Sequence, residues 1–382
     1  MNKSTVFIYS IATLAIVGWW YLAFTASVPF DEGTQQISNP PKKPHPLLAH
    51  LSPLDRDTLT KALTGDFALM SRLIADWDVD AQILSSQGLP GIQRLPRKTF
   101  LKSQVLGRKL ANTSSEKNQL KFLPQTYAAA CFLLALVEPE QIVALPSGLR
   151  KHTHIYPDSI LARIPLDVDR YNAEKLFLAR PDIAFISSHY SHPSAIQALQ
   201  SQGIKIHDTG SLISLENILD ALQSIGEVTQ RKKETSLLNL FIQASLQAIK
   251  NRLAVQKTGK TLLASKILYL NYHDKFYLPS NETFASEILA RLEIPHYPFP
   301  RSSMPLEKEN LFVLNPDCLI VSSTNGEALK KQMESDPALK TLSAIKQGRV
   351  FFVDDSIQQS PTQFVVLAYY DLAQVIAQAY LP

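Results

Sequence analysis

The sequence predicts an α/β protein with two lobes, each built on a parallel sheet and joined to the other by a single long helix. Two observations carry this prediction: a segment that occurs twice, and a long uninterrupted stretch between the copies. The first copy, EKLFLARPDIAFISS, spans Glu174 to Ser188, and the second, ENLFVLNPDCLIVSS, spans Glu309 to Ser323. Seven of the fifteen aligned positions are identical. A repeated unit on both sides of one helix indicates two similar lobes.

Each copy of the repeat has the composition of a short helix followed by a buried strand. Pro181 and Pro316 cannot continue a helix, and they are expected to push the preceding residue towards extended geometry. The apolar runs that follow, Ile183 to Ile186 and Cys318 to Val321, show no polar alternation. Such runs are typical of parallel strands covered on both faces.

The stretch from Glu227 to Gln256 predicts the joining helix. It contains no proline and no interior glycine, and apolar residues such as Leu237, Phe241 and Ala248 recur at helical spacing. About 30 helical residues extend roughly 45 Å, which is enough to cross a domain.

Strands and helices alternate through the rest of the chain, as in parallel sheets. Strands are expected in QLKFLP from Gln119 and at Gln141–Leu145, Ile204–Ile206, Ile267–Leu270 and Arg349–Val353. Helices are expected at Asp55–Leu63 (with Ser52 as its N-cap), Phe67–Trp77, Thr126–Val137, Ala195–Gln202, from Ser214 to Gly226, and at Ser280–Leu292, Glu327–Glu334 and Pro361–Tyr380.

The N-terminal region predicts a membrane anchor. Val6 to Ala26 is uncharged and long enough to span a bilayer, and Lys3 before it predicts a cytoplasmic N-terminus with the remainder exported. A cleaved signal peptide is the alternative. The predicted organisation is an anchor or signal at 1–30, a Pro-rich tether at 31–46, a helical segment at 47–117, a first lobe at 118–226, the joining helix at 227–256 and a second lobe at 257–382.

Composition and motifs exclude several function classes. The net charge of +4 is spread over short clusters, which argues against nucleic-acid binding. The sequence contains no GxSxG, HExxH, P-loop or GxGxxG motif, so no catalytic residues are assigned and an enzyme is not expected. Cys131 and Cys318 stand in apolar runs and are expected to be small buried residues rather than a disulfide.

Two stretches of the chain show a family resemblance. The first runs from QIVAL through the first repeat copy to AIQALQSQGIKIHDTGSLISLENILDALQSIGEVT, and the second runs from NPDCLIVSS to the closing LSAIKQGRVFFVDDSIQQSPTQFVVLAYYDLAQ. In both stretches the chain resembles the periplasmic metal-chelate binding proteins of ABC importers. These carry vitamin B12, ferric siderophores or haem. The resemblance covers about Gln119 to Pro382 and implies a helical-backbone substrate-binding fold, with the ligand in the cleft between the lobes. Open α/β sheets bind ligands beyond the carboxyl ends of their strands, which agrees with that cleft.

The loops expected at the cleft hold the candidate ligand-binding residues. His and Tyr ligate haem iron, His binds zinc and related metals, and Arg pairs with carboxylates. The candidates are Tyr127, Arg150, His152, His154, Tyr156, His189, Tyr190, Tyr272, His273, Tyr277 and Arg301. The transported ligand would be an iron chelate, haem or cobalamin, and no resident cofactor is required.

The resemblance also implies a permease of the inner membrane as partner, with Glu287 as the docking carboxylate of the second lobe. Cys131 stands where the first lobe would carry the matching glutamate. Two alternatives stay open: an anchored scaffold that keeps the fold without a ligand, and a receptor for bare zinc, manganese or iron ions. Each version places the folded part on the periplasmic side of a bacterial inner membrane, either anchored or released after signal cleavage.

Overall fold

The computed structural model describes residues 51, 54–89, 91–111, 120–152, 155–164, 166–168, 180–187, 193–261, 264 and 266–380. The predicted membrane segment and tether lie outside these residues. Residues 43–382 form one compact unit. Across the described residues, no helix is both long and apolar enough to span a bilayer.

Two larger sheets and one small strand pair organise the described part of the chain. A three-stranded parallel sheet has the order β1-β4-β5, and a five-stranded sheet has the order β10-β9-β6-β7-β8, in which β7 runs antiparallel to both neighbours. The strands are β1 Phe122–Pro124, β2 Leu145–Pro146, β3 Asp167–Val168, β4 Ile183–Ile186, β5 Lys205–Asp208, β6 Ile267–Tyr272, β7 Phe276–Leu278, β8 Met304–Leu306, β9 Cys318–Ser323 and β10 Val350–Asp354. We call residues 120–228 the first lobe and residues 264–380 the second lobe.

Helices cover both sheets and precede the first one. They are α1 Arg56–Leu63, α2 Phe67–Ser86, α3 Arg97–Ala111, α4 Tyr127–Leu136, α5 Leu149–His152, α6 Asp158–Leu161, α7 Pro193–Ser201, α8 Leu215–Val228, α9 Lys232–Lys257, α10 Phe284–Arg291, α11 Lys308–Leu314, α12 Gly326–Ser335, α13 Ser343–Lys346, α14 Asp355–Gln358 and α15 Val365–Tyr380. Short 3-10 turns occupy Pro139–Gln141 and Leu339–Thr341. The α/β class with parallel strands is therefore confirmed.

The sequence repeat is also a repeat of backbone geometry. The Asp182 N–H donates to the Lys121 carbonyl at 2.9 Å, and the Asp317 N–H donates to the Lys266 carbonyl, also at 2.9 Å. In the same way β4 joins β1, and β9 joins β6, each in parallel register. The two copies thus enter their sheets as interior strands by the same hydrogen bonds.

The residue before each repeat proline does not have the extended geometry predicted for it. Arg180 and Asn315 both have positive φ, at 46° and 38°. Asn315 ends α11 as a left-handed cap whose N–H donates to the Leu311 carbonyl. The left-handed region ends the helix as effectively as an extended residue does, and asparagine tolerates it well.

The predicted helix over Glu227–Gln256 is wrong at its start. Helix α8 continues to Val228, the chain turns at Gln230 with a φ of 61°, and α9 begins only at Lys232. The turn is tight because Gly226 faces Thr235: a Cβ on Gly226 would lie 2.1 Å from the Thr235 hydroxyl oxygen. Glycine at this position allows α8 and α9 to pack in direct contact.

Three smaller boundaries also differ from the predictions. Asp55, and not Ser52, caps α1 by accepting a hydrogen bond from the Thr58 N–H at 2.8 Å. Helix α2 extends nine residues beyond the predicted end at Trp77. Of the strand predicted at Gln141–Leu145, only one isolated bridge, from Ile142 to Phe122, and the first residue of β2 form, because Gln141 closes a 3-10 turn.

The N-terminal helices pack along α9 as part of the same core. Trp77 of α2 stacks on Phe241 of α9 with ring centroids 5.4 Å apart. Arg252 of α9 pairs with Asp80 of α2 at 3.2 Å; Asp80 is buried and the Arg252 side chain is only 14% exposed. Burial lowers the pKa of Arg252 to about 10, against the opposing effect of Asp80. The segment before the first lobe is thus built into the fold.

Substituting Arg252 with Met is expected to destabilise the protein by about 3–5 kcal/mol, because Asp80 would stay buried without its counter-charge. The double variant D80N/R252M should recover most of that loss. Urea unfolding of residues 43–382 measures both. As the matched control, K250M changes another residue of α9 and breaks its exposed pair with Glu293. This variant should cost under about 1 kcal/mol. Equal losses for R252M and K250M would contradict a structural role for the buried pair.

Candidate functional site

The carboxyl end of β6 brings two predicted site residues together on a hairpin. His273 and Tyr277 lie on either side of the β6–β7 turn, with ring centroids 6.0 Å apart. His273 is exposed and Tyr277 is half-buried. The Tyr277 hydroxyl donates to the Asp274 carboxylate at 3.2 Å, and the Lys275 ammonium lies 5.7 Å from the Tyr277 ring centre. An imidazole and a phenol are therefore presented side by side at the sheet edge.

The same hairpin carries a second aromatic pair. Tyr272 and Phe276 are opposite each other in the β6–β7 register, and their rings meet edge to face at 5.1 Å.

Backbone N–H groups, first that of Asp274 itself, lower the pKa of the Asp274 carboxyl at the turn. Asp274 therefore stays ionised at neutral pH, as an acceptor for the Tyr277 hydroxyl.

Tyr127 and Tyr156 lie near the buried Cys131. The half-buried Tyr127 begins the helix that contains Cys131, and the Tyr156 hydroxyl donates to the Cys131 carbonyl at 3.0 Å. Tyr156 is 3% exposed and meets Phe364 edge to face at 5.7 Å. Burial raises the pKa of Cys131 to about 12. Tyr156 is thus a core residue, and Cys131 is a buried neutral thiol, as predicted.

Gln363 ties this cluster to the rest of the fold. Its fully buried carboxamide donates to the Cys131 carbonyl at 2.9 Å, to the Tyr156 hydroxyl at 3.3 Å and to the Leu63 carbonyl at 3.4 Å. One side chain of the second lobe therefore contacts the first lobe and the N-terminal helix α1. Nothing in the sequence singles out Gln363, since a lone glutamine in a loop gives no local signal of such a contact.

Arg150 uses its guanidinium within the first lobe. It pairs with Asp167 at 2.9 Å and donates to the carbonyls of Leu161 and Ile164. These contacts fix α5 against α6 and β3. The side chain holds the loop in place instead of extending from it.

Arg301 is exposed, but the structure does not place it with His273 and Tyr277. It precedes β8, whose Met304 pairs with Leu278, and the adjacent Pro300 carbonyl accepts from the Asn281 N–H. Arg301 therefore lies towards the amino end of β6, away from the hairpin turn.

Four candidates lie wholly or partly outside the described residues. The backbone of His152 ends α5, but its side chain lies outside them, as do His154, His189 and Tyr190. Among the described residues, no group of three or more His, Cys, Asp and Glu side chains could hold a metal ion.

Glu287, the predicted docking carboxylate, contacts the first lobe. It accepts from the Leu215 N–H, at the start of α8, at 3.3 Å and from Arg291 at 2.8 Å. Arg291 in turn pairs with Glu216 at 2.6 Å, and this hydrogen bond lowers the pKa of Glu216. We call these three charged residues the interlobe latch. Permease docking by Glu287 stays a prediction, made for a carboxylate that is only 20% exposed.

Corresponding serines at the ends of the central strands hold the next loop in each lobe. The Ser187 hydroxyl donates to the Gly210 carbonyl at 2.9 Å, after β5, and the Ser322 hydroxyl donates to Asp355 at 2.8 Å, after β10. The shared Ser-Ser ending of the repeat thus has a structural purpose in both lobes.

Comparison with known proteins agrees with this geometry. The family model described as periplasmic binding protein matches residues 165–357, just over half of the chain. No curated protein is similar enough in sequence to count as a relative.

Solved structures with the same fold include the periplasmic haem-binding protein HutB of Vibrio cholerae (19% identity, TM-score 0.55, 67% of this chain and 98% of that one). They also include a periplasmic haem-binding protein from Pseudomonas aeruginosa (17%, 0.57, 69% and 94%). A third is the periplasmic vitamin B12 binding protein BtuF of Vibrio cholerae (16%, 0.52, 68% and 97%). With the sheet order, the repeat and the family match in agreement, the chain belongs to the periplasmic binding protein family.

Proposed function

We propose that this protein captures an iron chelate, haem or cobalamin-type ligand between its lobes and delivers it to an ABC importer. The observation that carries the proposal is the exposed His273 beside Tyr277 at the carboxyl end of β6. Imidazole and phenol are both ligands of haem iron, and ligands of open α/β sheets bind beyond the strand ends. The haem and vitamin B12 proteins of the same fold support this ligand class.

The hairpin would supply one wall of the site. The half-buried Tyr272 offers an aromatic edge for a flat ligand, and Lys275 offers a positive charge for its carboxylates. His152, His154, His189 and Tyr190 stay the candidates that the sequence predicts in the first lobe. We expect capture with modest closure, because one long helix is a stiff hinge and the interlobe latch opposes opening.

Replacing the pair in H273A/Y277F is expected to weaken binding of the proposed ligand about 100-fold, because the ligand would lose the imidazole and the phenol that are proposed to contact it. Residues 43–382 are purified, their absorbance spectrum and metal content are recorded, and haem, cyanocobalamin and a ferric siderophore are titrated in turn. A receptor for bare metal ions would instead contain stoichiometric metal and show no chromophore in its absorbance spectrum.

The matched control is H296A/Y297F. It removes the same two side-chain types from the loop at the amino end of β6, where the Tyr297 N–H donates to the Ile267 carbonyl. This control should bind as the wild type does. If all three ligands bind wild type and H273A/Y277F equally well, the hairpin is not the site.

The contacts between the lobes favour a second candidate function, an anchored scaffold. Gln363 and the interlobe latch join the two lobes directly by hydrogen bonds and an ion pair. A protein that keeps the fold only as a rigid body would have such contacts and no need to open.

The variant E287Q/R291Q separates the two functions. Since Glu287 and Arg291 are partly exposed, each broken contact should cost about 0.5–1 kcal/mol, enough to loosen the lobes without unfolding them. Spin labels at Q200C and K331C, both exposed, report the distance between lobes, while Cys131 and Cys318 are buried.

A receptor should show a broader label distance in E287Q/R291Q and a shift on adding ligand. The substitution K308Q, which breaks an exposed pair within the second lobe, is the control and should leave the distance unchanged. If the distance is insensitive both to E287Q/R291Q and to every ligand, the scaffold function holds.

A further inference from the structure

The outer face of the α2–α3 hairpin is basic and carries exposed aliphatic side chains. In residues 67–106, five basic residues are exposed, and no exposed residue carries a carboxylate. These cations are Arg72, Arg94, Arg97, Lys98 and Lys102. None of them forms an ion pair with a described residue. The acidic side chains of the segment are buried or half-buried, and Asp80 is held by Arg252.

Large aliphatic side chains stand among these cations. Val79 and Ile83 of α2 are 53% and 38% exposed, and Leu101 and Val105 of α3 are 49% and 51% exposed. Each pair has the i,i+4 spacing that places both members on one side of its helix. The inner side of α3 packs on α2 and α9, where Ser103 is fully buried. The exposed stripe is therefore the side of α3 that the fold leaves uncovered.

Alternating lysine and aliphatic residues on one helix face is the pattern of a helix that lies in a lipid interface. Apolar side chains enter the boundary of the acyl chains, and lysine and arginine pair with anionic headgroups, each contributing about 1 kcal/mol near such a surface. A soluble acidic partner would be recognised by the charges but would not require the aliphatic residues.

We propose that the outer face of the α2–α3 hairpin docks on an anionic membrane surface. The occupant is the headgroup layer of the bilayer, and the binding residues are Lys98, Leu101, Lys102 and Val105 of α3, with Val79 and Ile83 of α2. Docking would hold the binding lobes in a fixed orientation to the membrane.

The same chain carries the segment Val6–Ala26, which its sequence predicts to cross a bilayer. A tether that keeps the hairpin near a membrane raises its effective concentration there, so a weak surface affinity is sufficient. The docking itself does not depend on that segment and can be tested without it.

Residues 43–382, which form a compact unit without the apolar segment, are sedimented with vesicles of phosphatidylglycerol and phosphatidylcholine, or of phosphatidylcholine alone. The wild type should bind the anionic vesicles only, and less at high salt. Both K98E/K102E and L101S/V105S should bind about tenfold more weakly or worse, as the charges and the apolar area each contribute.

Matched controls exist in the second lobe. The substitutions K330E/K331E reverse two exposed lysines on α12, and V313S/M304S removes two exposed apolar side chains of the second lobe. Both should bind vesicles as the wild type does. Circular dichroism confirms that each variant is folded.

Two results would overturn the proposal. One is wild type that sediments no more with anionic than with neutral vesicles. The other is binding to soluble polyglutamate that equals vesicle binding and is unaffected by L101S/V105S, which would assign the face to an acidic protein. Neither result bears on ligand capture between the lobes, which the titrations of haem, cobalamin and siderophore test separately.

Discussion

The fold depends on the burial of helix α9 along nearly its whole length. Leu237, Leu238, Phe241 and Ile242 have no exposed surface. Helices α2, α3, α8 and α15 each pack against α9. A buried aromatic or aliphatic side chain contributes about 1.5–3 kcal/mol, so exposing one side of α9 would cost much of the stability of a typical protein. The N-terminal helices are therefore a condition of the fold.

This dependence explains why the sequence predicted the strands of the repeat but not the packing of the N-terminal helices. The repeat copies encode their own structure locally, by a proline stop and an apolar run, and both central strands form as expected. The packing of α2 on α9 is encoded by contacts between residues far apart, such as Trp77 with Phe241 and Asp80 with Arg252. The spacing of residues within α2 or α9 does not predict either contact.

In the candidate site, too, contacts between residues close in sequence could be predicted, and contacts between distant residues could not. His273 and Tyr277 are four residues apart on one hairpin, so a strand and a turn suffice to bring them together. Tyr156 and Arg150 looked equally suitable in sequence, yet their partners, Gln363 and Asp167, are supplied by other elements. Polar residues in loops indicate which ligands a site could bind. Their hydrogen-bond partners decide whether a polar side chain is available to a ligand or holds the loop in place.

The contacts of Gln363 bear on how a ligand would enter. If α9 alone joined the lobes, opening would only bend one helix, but Gln363 also binds carbonyls of α4 and α1, and Arg56 of α1 pairs with Asp371 of α15. A wide hinge motion would break these contacts together. The Gln363 carboxamide would then lose some of its hydrogen-bond partners, at a cost of about 1–3 kcal/mol for each buried group left unsatisfied. Among the described residues, no comparable contact reaches the β6–β7 turn: His273, Asp274 and Lys275 are exposed, and the turn is held by its own hydrogen bonds. Ligand exchange in this protein is therefore expected to combine a small change in the distance between the lobes with movement of the β6–β7 hairpin.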